Sequence, residues 1–73
     1  MTKEQFEEGT SEFLERGVIR GYALIGPREE DAYLVIDEDG DLYYNCEGGI
    51  LINQGKTFHY LPYESIIALT GTR

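Results

Sequence analysis

Cys46 and His59 are the single cysteine and the single histidine of the chain, and they are the residues best suited to covalent chemistry. A thiolate nucleophile needs a base, a group that orients the base, and donors for the developing oxyanion. The sequence offers no third orienting group and no glycine-flanked nucleophile turn. Cys46 falls in phase with Leu42 and Tyr44 and is read as a core residue; His59 alternates with Phe58 and Tyr60 and is read as an exposed strand residue. One cysteine and one histidine also make no zinc site.

Asp37, Asp39 and Asp41, with Glu38 and Glu47 close by, are oxygen ligands of the kind calcium takes. A calcium loop of the helix–loop–helix type needs glycine at its sixth position and a carboxylate at its twelfth. Counted from Asp37, glycine falls fourth and Gly48 stands twelfth, so the pattern fails. A solvated hairpin tip is the reading, with a loose cation site or an acidic contact for a basic partner as the functional alternatives. The pairs Glu7-Glu8 and Glu29-Glu30 resemble a glycosidase couple, but 73 residues build no cleft around them. Gly48-Gly49 lacks the lysine and the following helix of a phosphate loop. No cofactor is implied.

The tyrosines carry the stronger signal. With Leu34 and Leu42 facing inward, Tyr33 and Tyr43 face outward on paired strands, and Tyr22 can join them. Tyrosine gives a large contact area at low entropic cost, which suits an interface. Two readings stay open: this face meets a partner, or the N-terminal helix covers it through Phe6 and Phe13.

The elements that must position these residues follow from hydrophobic period and turn chemistry. Residues 2–16 read as a helix, with Thr2 and Gln5 spaced as a capping box and Gly17 placed to end it. Phe6, Thr10, Phe13 and Leu14 form its apolar stripe, although Gly9 weakens it and allows a start at Thr10 or Ser11. Strands are expected at 18–25, 32–36 and 42–46, the last two joined by a tight turn over 37–40 that contains Asp39-Gly40. A short apolar piece at 50–52, a turn over 53–56 and a strand at 57–61 come next. Pro62 starts a one-turn break, 65–69 is the last strand, and 71–73 is a frayed end. These make one mainly β domain over residues 1–73. Its architecture is an N-terminal helix and, over 18–69, a five- to six-stranded antiparallel small barrel.

Fourteen acidic residues against six basic ones leave a formal charge of −8. The field repels phosphate backbones and anionic lipid, and it attracts basic protein surfaces. A lone cysteine suits a reducing compartment, and no run approaches the length of a membrane span, so a soluble cytoplasmic protein is expected.

The segments 34–40, 48–50 and 61–67 resemble parts of PRC-barrel domains in the strand, hairpin and "proline then isoleucine" order of their residues. A helix before short strands, with a one-turn kink before the last, is similar to Sm-like proteins. Both resemblances imply an SH3-like barrel, and their shared parts are structural rather than catalytic. Direct nucleic-acid binding conflicts with Tyr60, Pro62 and Glu64 in the region where Sm-like proteins carry basic contacts. Two function classes follow. The first is a non-enzymatic acidic interaction module that binds a basic protein surface, as a regulator or as a nucleic-acid-mimicking inhibitor of the phage type. The second is an Sm-like oligomer acting in RNA binding or as a scaffold. Tyr22, Tyr33, Tyr43, Asp37, Asp39 and Asp41 are the expected partner-binding residues.

Overall fold

A computed structural model describes residues 1–38 and 40–73. Helix α1 (Lys3–Glu15) begins at the expected capping box: the Thr2 hydroxyl accepts from the Gln5 amide at 3.1 Å, and Gln5 Oε1 accepts from the Thr2 amide at 2.9 Å. Gly17 ends it at φ +74°, a conformation that costs glycine nothing and a side chain about 1 kcal/mol or more. The helix runs unbroken through Gly9, where a Cβ would stand 2.6 Å from Leu69 Cδ1. Gly9 therefore lets α1 approach the sheet closely. Phe6 and Thr10 are buried and Phe13 is half-buried, whereas Leu14, expected on the same stripe, is 58% exposed.

The strands are β1 (Arg20–Leu24), β2 (Ala32–Asp37), β3 (Gly40–Asp41), β4 (Tyr43–Asn45), β5 (Gly49–Gln54), β6 (Thr57–Pro62) and β7 (Ala68–Thr72). They form two antiparallel sheets, ordered β3-β2-β1-β7 and β4-β5-β6. The strand expected at 42–46 is β4, which pairs with β5 and not with β2. The residues that pair with β2 are Gly40 and Asp41 just before it, and the Leu42 carbonyl between the two accepts from the Asn53 amide at 2.8 Å. No sheet is closed: β6 and β7, separated by a one-turn 3-10 segment (Tyr63–Ser65), are edges of different sheets. Phe6, Val35, Ile50, Ile52 and Ile66 fill the space between.

Two expectations about strand ends and faces are corrected. Gly71 and Thr72 are not frayed; they pair with Gly21 and Arg20 of β1, and the last strand starts three residues later than expected. In β2 the register slips, Gly21 facing Ile36 while Tyr22 faces Leu34, which leaves Val35 as an extra residue. A bulge of this kind puts two neighbours on one side. Val35 and Ile36 are both buried, Tyr33 packs on the core, and Leu34 lies on the outer face opposite Tyr22.

Gly49 opens β5 opposite Pro62, where a Cβ would meet the Leu61 carbonyl oxygen and, at 2.9 Å, Pro62 Cα. Backbone cannot yield as a side-chain tip does, so Gly49→Ala should cost about 2 kcal/mol in urea unfolding. Gly48→Ala meets only the Tyr60 hydroxyl at 3.0 Å and should stay within about 0.5 kcal/mol of the parent. Equal losses at the two positions would contradict this packing.

Candidate functional site

The three expected contact tyrosines do not gather into one surface. Tyr43 points inward, its ring edge-on to Phe6 at 5.6 Å and 89°. Tyr33 packs against the core and lies 5.3 Å from the His59 ring, so His59 is half-buried across the gap between the sheets rather than exposed. Both tyrosines are therefore removed from the outward face assigned to them. Helix α1 does cover Tyr43, through Phe6. Tyr22 alone remains on the outer side, half-buried with Leu24, Ala32, Thr70, Thr72 and Arg28 around a shallow groove of about 420 Å³. Asp37 pairs with Gly40 across the hairpin. Asp39 lies outside the described residues, and Asp41 is placed only as the strand partner of Ile36.

Cys46 is not in the core. Its Sγ lies 4.0 Å from the Tyr44 carbonyl, 13 positions before His59, which meets Tyr33 instead. The Tyr63 ring takes the space beside it: buried, 5.6 Å from Phe6, with its hydroxyl donating to the Cys46 carbonyl at 3.0 Å and to Asn45 Oδ1 at 3.1 Å. Among the described residues no group of three histidine, cysteine or carboxylate side chains is arranged to hold a metal. No helix there is long and apolar enough to cross a membrane.

Two surfaces are built by the fold instead. On α1, Glu4, Glu8, Glu12 and Glu15 recur at helical spacing opposite Phe6, Thr10 and Phe13, forming a row that rises about 6 Å per four residues. The basic residues of this element are engaged locally, Lys3 with Glu7 at 4.0 Å and Arg16 with Glu12 at 3.1 Å. Arg28 is likewise occupied by Glu30 and Asp31. Glu4, Glu8 and Glu15 have no ion-pair partner among the described residues.

The second surface is the outer face of β4-β5-β6. Register sets Tyr44 opposite Leu51 and Leu51 opposite Tyr60, with Phe58 opposite Asn53 one step along. Tyr44, Tyr60 and Phe58 are 60%, 55% and 62% exposed. The neighbours of these residues along each strand, Tyr43, Ile50, Ile52 and Leu61, point to the core. Asn53 Oδ1 is shielded from solvent and has no hydrogen-bond donor among the described residues. Polar Asn53 and the tight Gly55-Lys56 turn were the signals that fix this face, since a two-residue turn places Gln54 opposite Thr57 and hence Leu51 opposite Tyr60.

No protein-family model, curated protein or solved structure matches this chain.

Burial raises the Tyr63 phenol above its ordinary value of 10.0, and the Glu7 carboxylate adds to the shift. The folded chain then keeps this proton at pH values where the unfolded chain has lost it. That stability is whole below pH 10 and is lost as pH climbs through the raised folded value. Tyr63→Phe should cost about 1 kcal/mol at neutral pH through its two lost acceptors. The gap to the parent should narrow above pH 10 in denaturant titrations; a gap constant with pH would contradict a buried, protonated Tyr63.

Proposed function

We propose that this protein is a non-enzymatic acidic interaction module that docks on a basic protein surface, acting as a regulator or as an inhibitor that offers carboxylates in place of phosphates. The observation that carries the reading is the row Glu4-Glu8-Glu12-Glu15 on the solvent face of α1, on a chain of formal charge −8. A row of like charges on one helix face is costly to folding and gives a strong directional field. Helix positions opposite the core are free to take any polar residue, so four carboxylates there favour a role outside the fold. We further place the chain with small SH3-like barrels of the PRC-barrel or Sm-like type, working in the cytoplasm. The winding of neighbouring strands from β1 to β6, with β7 returning to β1 after one 3-10 turn, supports that assignment.

The second reading, an Sm-like oligomer, is favoured by one feature: β6 and β7, on either side of the 3-10 turn, both present unpaired edges. Strand edges of this kind pair with other chains unless they are blocked. Light scattering separates the two, a ring appearing as a defined multiple of the 8.3 kDa chain.

The carboxylate row is tested by affinity capture from the native cell extract with the parent chain and with Glu4→Gln/Glu8→Gln/Glu12→Gln. The parent should retain basic proteins at low salt and release them as salt rises, since exposed charges are screened beyond about 8 Å at physiological strength. The variant should retain them at least ten-fold less well. An unchanged, salt-resistant set of captured proteins would overturn the reading.

A further inference from the structure

We propose that the Tyr44-Leu51-Tyr60 row on the outer face of β4-β5-β6 is a docking site for an arginine-bearing extended segment of a basic protein. The inference rests on the acidic-module reading and names the chemistry its partner presents. Adjacent strands stand about 4.8 Å apart, so the two tyrosines flank Leu51 across roughly 10 Å. A planar group lying over Leu51 meets a tyrosine on each side, and Phe58 extends the aromatic surface along β6. These rings are more than half exposed, in a row set by strand register.

The charge of the chain selects among the groups that stack on aromatic rings. Nucleobases stack on such rows, but a single strand also needs a positive groove for its phosphates, and a body of charge −8 repels them. A second copy would bring another −8 against the same face. A guanidinium is planar, stacks on tyrosine and carries the complementary charge. A carboxylate is also in place: Glu47 is exposed in the β4–β5 turn, next to Gly48, whose Cβ position lies 3.0 Å from the Tyr60 hydroxyl. Beside the row, β6 ends its sheet, so a segment entering extended can add to that edge while its side chains reach the rings.

The test is a titration of the whole chain with nona-arginine and nona-lysine peptides of equal charge at one ionic strength, followed by fluorescence anisotropy. The parent should bind the arginine peptide about five-fold more tightly than the lysine peptide, the scale of one exposed ring–guanidinium contact or two. Tyr44→Thr/Tyr60→Thr, which keeps β-forming residues at exposed strand positions, should abolish that preference and leave lysine binding unchanged, its fold checked by thermal melting. Glu4→Gln/Glu8→Gln/Glu12→Gln should weaken both peptides and preserve their ratio. Equal affinities in the parent, or a preference that survives the tyrosine changes, would overturn the proposal while sparing the acidic-module reading. Binding of neither peptide would overturn both. Tyrosine-dependent binding of oligothymidylate, or tyrosine-dependent dimerisation, would replace the arginine segment with a nucleic acid or a second copy.

Discussion

The Phe6 ring is the contact on which the rest of this small structure depends. It lies 5.6 Å from Tyr43 of β4 and 5.6 Å from Tyr63 of the 3-10 turn, so one side chain of the helix joins the second sheet to the segment that returns to the first. The Met1 backbone nitrogen donates to the Tyr63 and Ile66 carbonyls at 2.9 and 2.7 Å in the same place. A 13-residue helix with glycine in its interior does not hold in water by itself. Full burial of an aromatic ring contributes about 2 kcal/mol, and an edge-on aromatic pair about 1 more. Helix, open sheet pair and turn therefore form as a single unit.

What Phe6 takes inside decides what is left outside. With Phe6, Thr10 and Phe13 turned to the core, the carboxylates of α1 necessarily form a row in solvent. The helix also seats on β7, where Gly9 meets Leu69, and so leaves the outer face of β4-β5-β6 uncovered. An anionic row and an aromatic face follow from one docking geometry, and the proposed interaction role would draw on both, with long-range attraction from the charges and contact area from the rings.

Features governed by neighbours in sequence were legible from the residues. The Thr2–Gln5 capping box, the stop at Gly17 and the one-turn 3-10 segment that follows Pro62 lie where local chemistry places them, although Pro62 itself still pairs with Gly49 at the end of β6. The faces of the tyrosines were not legible, because both phases of β2 are apolar and the bulge at Val35 lets successive residues share one side. Leu42, Tyr44 and Cys46 were the more hydrophobic phase of the third strand, yet Tyr43 turns inward because Phe6, 37 positions earlier, waits for it. The pairing of Gly71 with Gly21 is likewise decided by a partner 50 residues away. Of the three expected tyrosines Tyr22 keeps its outward place, and Tyr44 and Tyr60 are exposed where Tyr33 and Tyr43 turn to the core.

Phe6 holds Tyr43 and Tyr63 inside, while Tyr44 and Tyr60 stand in solvent. Photochemically induced nuclear polarisation with a flavin dye, which marks only tyrosine rings the dye can reach, measures this directly in the native chain. Strong enhancement of Tyr44 and Tyr60 with silence at Tyr43 and Tyr63 is the predicted spectrum. Enhancement of Tyr43, or silence at Tyr44 and Tyr60, would contradict the account.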